Sequence, residues 1–444
     1  MIRPLLLAVL LLLPAAVQAT PKIQMVPLKN GPTAWLVEDR SAPVVTIQFA
    51  WQWAGSLSEP KDKSGLARFT MGMLDEGAGD LDSGAFQGKL DDLNASMDFG
   101  AGSEILSLTV RSLSANLPQT MALVGDALAK PRFDPPAIER VRGQLRQSFA
   151  QSLENGNALA GEVLYAALYP DHPLGRGTRN SFAALDSIKR EDLVDFAQDR
   201  LTRSGLIIAV AGAIDAETLR VTLDVVLEKL PQGKPYPKPA PAAMKSGGQT
   251  LVMERALPQS AIIWAMPGVR RLDPDYLPAA LLAHTLGGGT FTSRLKDAVR
   301  EQKGLAYSVS AGIAASEVSP TLSGGASTSN ANAAAAVATT REVLEELRQK
   351  GVTAEELNEA KDYTVGAMPL RLDSTRAIAG TLLGLQLDGL PPSYLDTRTA
   401  DIRAVTLEQV NSLARRLLDP AKLTFVVVGQ PAGLTPTTRL PEGF

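Results

Sequence analysis

Leu185 to Gly212, LDSIKREDLVDFAQDRLTRSGLIIAVAG, and Ile402 to Gly429, IRAVTLEQVNSLARRLLDPAKLTFVVVG, align without a gap at an offset of 217 residues. Ile188 pairs with Val405, Leu193 with Val410 and Ala197 with Ala414, and the apolar runs Leu206–Val210 and Leu423–Val427 fall in register. Upstream, Leu36-Val37 and Pro43 match Leu251-Val252 and Pro258 at an offset of 215. A repeat this long predicts a duplicated domain. Between the copies, residues 231–248 carry Pro231, Pro235, Pro237, Pro239 and Pro241, which remove backbone donors and favour an extended linker. The expected division is residues 20–230, the linker at 231–248, and residues 249–444.

Within a half, Val45, Ile47, Phe49, Trp51 and Trp53 alternate with Thr46, Gln48, Ala50 and Gln52, the period of a strand buried on one face. Leu66, Phe69, Thr70, Met73 and Leu74 take up helical spacing. Glu104 to Val110 reads as a second strand, and LPQTMALVGDALAKP and PPAIERVRGQLRQSFAQSLE read as helices. Strands, then helices, then a late strand predict an α+β fold of two homologous domains, each an antiparallel-rich sheet covered by helices.

Composition narrows the chemistry. A formal net charge of −3 on 444 residues gives no electrostatic case for nucleic acid. With no cysteine, disulfides and thiolate metal sites are excluded, and the two histidines, His172 and His284, stand far apart. Met1 to Thr20 joins a short basic start, the apolar run Leu5–Leu13 and a small-residue end, the pattern of a secretory signal cleaved after Ala19. A periplasmic or secreted protein is expected, with no membrane association after residues 1–19 are removed.

Positions 68, 71 and 72 of the helix Ser64–Gly77 fall where an H-x-x-E-H peptidase places two metal-binding His and its Glu base, but hold Arg68, Met71 and Gly72. A guanidinium stays protonated and repels a dication. Glycine inside a helix costs about 1 kcal/mol relative to alanine, which implies little room at Gly72. Asp75, Glu76, Asp80 and Asp82 read as a solvated acidic loop.

Around these positions, KSGLA…F…MLDEGAGDLDSGAFQGKLDDLNASMDFGAGSEILSLTVRSL, YPDHPLGRGT and LGGGTFTSRLKDAVREQKGLAYSVSAG follow one another in an order that resembles the pitrilysin/insulinase-like zinc metallopeptidase family, over almost the whole chain after residue 19. Most of all the chain resembles the non-metal subunit of a bacterial two-subunit member. The resemblance implies two facing domains forming half of a clamshell. It places the third zinc ligand, a Glu, within Arg140–Leu153, which contains no acidic residue. No metal is expected in this chain; zinc is expected in a homologous H-x-x-E-H subunit with which it would form a heterodimer acting on peptides.

By the same resemblance, Arg300 would grip a substrate carbonyl and Tyr307, seven residues later beyond the turn Lys303-Gly304, would donate its phenol proton to the oxyanion of the partner's site. A preorganised O–H donor lowers the transition state more than the ground state. The plainer alternatives are an ion pair of Arg300 with Asp297 or Glu301, and Tyr307 packed on the core. Gly287, Gly288 and Gly289 mark a tight turn between helices, for substrate contact or packing alike. His172 reads as a structural hydrogen-bonding residue and His284 as a helix residue near the inter-domain face. Two functions stay open: a half-site that completes a partner's peptidase, and a catalytically inactive scaffold or peptide-binding member, as respiratory-complex core subunits are in that family. Two isolated histidines give a serine-type triad no support.

Overall fold

A computed structural model describes residues 21–29, 31–289 and 292–444; the expected signal sequence lies outside them. The first half contains β1 (Gln24–Pro27), β2 (Thr33–Glu38), β3 (Val44–Gln52), the short hairpin β4 (Gly77–Ala78) and β5 (Leu81–Asp82), β6 (Ser96–Ala101), β7 (Ile105–Leu113) and β8 (Leu206–Gly212). The second contains β9 (Thr250–Glu254), β10 (Gln259–Pro267), β11 (Ala306–Ala314), β12 (Thr321–Ser329) and β13 (Thr424–Gly429). Their sheets run β1-β2-β8-β3-β7-β6 and β11-β12-β10-β13-β9. Read from β2 and from β9 the order is the same, with one parallel pair in each, β2/β8 and β13/β9, and every other pairing antiparallel. The fold is the α+β duplication that the repeat implies, and residues 231–248 form neither helix nor strand.

Each half lends a helix to the other's sheet. Gly156–Leu168 buries Leu159, Val163 and Leu164 against Leu251, Met253, Ala261 and Val426 of the second half. Thr375–Leu387 buries Ile378, Ala379 and Leu382 against Trp35, Val37, Ala209 and Ala211 of the first. This exchange corrects the one-sided reading of β3. Thr46 and Gln48, the polar alternates, are buried with the apolar set. Thr46 Oγ1 lies 2.9 Å from Thr375 Oγ1, and Gln52 Nε2 donates to the Leu387 carbonyl at 3.0 Å, so the borrowed helix covers and satisfies that face. Trp53 lies beyond the strand, with a φ of 65°. Among the described residues no helix is long and apolar enough to cross a membrane.

Candidate functional site: a filled metal position and a projecting arginine–tyrosine stack

The helix that carries Arg68 is shorter than its apolar spacing suggests. It spans Leu66–Met71, opens on Gly65 in the left-handed region at φ 91°, and ends with Gly72 as its C-cap. The expected crowding at Gly72 is therefore corrected: the residue is exposed at a helix end, and an added Cβ would meet only the Arg68 carbonyl at 3.3 Å and the Phe69 carbonyl and Val141 side chain beyond it. Met71 points into the core, 1% exposed.

Arg68 lies over the helix Pro135–Glu154. Its Nη2 donates to Ser148 Oγ at 3.0 Å, and its guanidinium sits 5.0 Å from the Phe149 ring centroid. Ser148 and Phe149 are thus the residues of the expected third-ligand segment that meet Arg68, and a hydroxyl in a guanidinium's hydrogen bond beside an aromatic ring leaves no site for a dication. A serine within a helix carries no sequence signal, which is why only the packing reveals this contact. Among the described residues no group of three or more His, Cys, Asp and Glu comes together in a way that could hold a metal. The residues present do not fit zinc.

The acidic loop beside the helix is tethered more firmly than a solvated loop. Arg140 grips both oxygens of Glu76, and Ser83 Oγ donates to the same carboxylate at 2.6 Å. The hydrogen bond from Arg140 holds the Glu76 carboxyl below the usual carboxylate range. Asp82 caps the helix Ser83–Asp92, accepting from the Ala85 amide.

In the second half a π-helical segment, Lys296–Gln302, carries Arg300. Gly304, at φ 59°, then reverses the chain into β11, a turn that a residue with a Cβ adopts only with strain. The β11/β12 register slips between Ala306 and Ser308, so Tyr307 is the extra residue of a β-bulge on an edge strand. Bulges re-aim side chains. This one turns Tyr307 out of the sheet, 83% exposed, with the Arg300 guanidinium 4.7 Å from its ring centroid. Arg300 Nε also lies 3.2 Å from Glu301 Oε1, so one of the plainer ion pairs is present, whereas Tyr307 packed on the core is corrected.

The glycines belong to a wide π-helical turn, His284–Gly288, that extends the helix Tyr276–Ala283. A Cβ on Gly287 would reach 2.6 Å from the Ala311 amide nitrogen, so the close approach is to β11. Lys296 Nζ donates to the Gly289 carbonyl. His284 stacks at 4.7 Å on Tyr363, a residue of the second half. Burial and then Lys296 push the His284 imidazole down. His172 Nδ1 accepts from the Leu174 amide at 3.2 Å, a structural role.

A duplicated α+β chain whose metal position is filled by Arg68 and Ser148 defines a metal-free relative of a zinc peptidase. The chain belongs to the insulinase (peptidase M16) family: the model described as "Insulinase (Peptidase family M16)" matches residues 36–181 and "Peptidase M16 inactive domain" matches residues 187–363. It is 26% identical over 392 residues to the "Non-peptidase homolog YmxG" of Helicobacter pylori, covering 88% of this chain and 90% of that protein. The crystal structure of a peptidase M16 inactive domain from Pseudomonas fluorescens superposes with a TM-score of 0.86 at 26% identity, covering 94% of this chain and 100% of the other. A protease from Helicobacter pylori shares the fold, with a TM-score of 0.83 at 16% identity over 92% of this chain and 100% of that one.

Proposed function

We propose that this chain is the non-metal subunit of a heterodimeric zinc peptidase acting outside the cytoplasm, in the periplasm or after secretion. The partner carries H-x-x-E-H and the zinc; this chain supplies Arg300 to hold a peptide carbonyl and Tyr307 to donate to the oxyanion. The observation that carries the reading is the Arg300–Tyr307 stack, held outward by a bulge on an edge strand with the phenol exposed. An aromatic side chain costs free energy when left in water, and a subunit that closes over it recovers that loss. Gly287, Gly288 and Gly289 shape the β11 border of the same surface, Gly287 by its packing on Ala311. The relatives named as a non-peptidase homologue and an inactive domain also fit a scaffold or peptide-binding role.

Co-expression with an H-x-x-E-H subunit from the same source separates the two. The expected result is a stable heterodimer with one zinc per pair that cleaves a quenched fluorescent peptide, while this chain alone holds far less than one zinc and cleaves nothing. Two chains that elute separately at micromolar concentration and give no activity on mixing would favour the scaffold.

A further inference from the structure

The void beside Arg68 has the chemistry of a binding site. A cavity of about 330 Å³ is lined by Arg68, Arg176, Glu162, Tyr165, Phe149 and Leu174, among others, at the lower end of the size range of ligand sites. A second cavity, also of about 330 Å³, continues from it past Tyr165 and Arg176 toward Glu104 and Ser316, where the two halves meet.

Neither Arg68 nor Arg176 forms an ion pair among the described residues. Arg68 spends one donor on Ser148, and Arg176 donates its Nη1 to the Glu59 carbonyl at 2.9 Å. The carboxylates nearby are otherwise engaged. Glu59 is buried and accepts from the Gly65 and Ala67 amides at 2.9 and 2.5 Å, and Glu162 Oε1 accepts from the Thr178 amide at 2.6 Å. Glu162 Oε2, however, is buried with no hydrogen-bond partner.

Two guanidiniums that make no direct ion pair, Arg176 acting on the buried Glu59 carboxylate only at longer range, leave donors for an anion with a planar pair of oxygens. A buried carboxylate oxygen left unpaired calls for an N–H. Both demands are met at once by a carboxylate with an N–H on the adjacent α-carbon, and Tyr165, Phe149 and Leu174 offer that residue's side chain an apolar wall. The second cavity gives room for the residues that precede it.

We infer that the cavity beside Arg68 binds the C-terminal carboxylate of a peptide, with Arg68 and Arg176 on its oxygens and Glu162 on its terminal amide N–H. Arg68 supplies there a fixed positive charge and no water-activating base, so the site binds without cleaving. It needs no partner subunit and does not involve Arg300 or Tyr307.

The test uses the chain alone, lacking residues 1–19, and fluorescence anisotropy with a fluorescein-labelled alanine- and leucine-rich decapeptide, as the free acid and as the C-terminal amide. The acid should bind at least about tenfold more tightly than the amide, the gap that a charged hydrogen-bonding pair produces. Arg68→Ala and Arg176→Gln should each close most of that gap, and Arg68→Lys should keep part of it. Glu162→Gln should weaken acid and amide alike, because both keep the terminal N–H. Far-ultraviolet circular dichroism and the melting temperature check that each variant is folded; Arg68 is exposed, so its replacement leaves the core untouched. Equal binding of acid and amide, no binding of the acid up to millimolar protein, or a gap unchanged in Arg68→Ala overturns the inference. So does equal displacement by free alanine, which would make the site one for single amino acids. Failure here leaves the heterodimer reading standing, since that one is read from activity of the pair.

Discussion

Gly72 and Gly287 occupy equivalent places in the two halves, 215 residues apart, like β3 and β10 on either side of the repeat. Leu66-Ala67-Arg68-Phe69-Thr70-Met71-Gly72 stands against Leu281-Leu282-Ala283-His284-Thr285-Leu286-Gly287. In the first half the helix stops, its glycine faces solvent, and Arg68 reaches sideways to Ser148 beside an open cavity. In the second the helix widens into a π-helical turn and presses its glycine onto β11, the strand that projects Tyr307. Equivalent helix ends thus border a pocket in one half and form a buttress in the other. Duplication fixes the backbone plan, and what the plan does depends on side chains packed later.

The sharpest way to break this contrast is the chemistry assigned to the buttressed side. In the reconstituted pair, Tyr307→Phe removes one hydroxyl and should lower kcat roughly 100- to 1000-fold, about 3–4 kcal/mol, with heterodimer yield and zinc content unchanged. Steady-state cleavage of a quenched fluorescent peptide measures it. A wild-type rate would reduce β11 to a wall of the chamber.

Next comes the claim that the halves are interlocked equally. Leu164 and Leu382, each 1% exposed, anchor the two exchanged helices. Alanine at either should cost about 3 kcal/mol, within the range for buried leucine truncation, and urea unfolding should stay a single transition. Two separated transitions would show halves that fold independently despite the exchange.

The glycine pair itself predicts a smaller asymmetry. Gly287→Ala drives a Cβ toward the Ala311 backbone and should destabilise by about 2 kcal/mol, whereas Gly72→Ala, at an exposed helix end, should change stability by no more than about 0.5 kcal/mol. Melting curves of the two variants suffice, and equal costs would erase the distinction drawn above.

The smallest effect is electrostatic and belongs to the first half. Arg140 depresses the folded-state pKa of Glu76, so the stabilisation is fully present above the unfolded value of about 4.3 and is lost as pH falls through the depressed value. Glu76→Gln should therefore lower the melting temperature slightly at pH 7 and flatten its decline between about pH 5 and 3. Parallel curves for the two proteins would mean that Arg140 does not single out the ionised form.

Local patterns carried much of this. The repeat exposed the duplication because equivalent strands must bury equivalent faces, and Arg68, Met71 and Gly72 were readable as a lost ligand set because ligands at helical spacing are local in the chain. The turn at Gly304 likewise needs only its neighbours to set Tyr307 beyond Arg300. Three features required the tertiary structure. The burial of Thr46 and Gln48 depends on a helix more than three hundred residues away, which the period of β3 cannot announce. The bulge at Tyr307 depends on a register with β12 that differs by one residue from the regular ladder. The pocket beside Arg68 gathers residues from five separate stretches of chain, each ordinary alone. Sequence determines what lies within a few residues along the chain; which distant surfaces meet, and which polar groups they bring together, is settled only when the core closes.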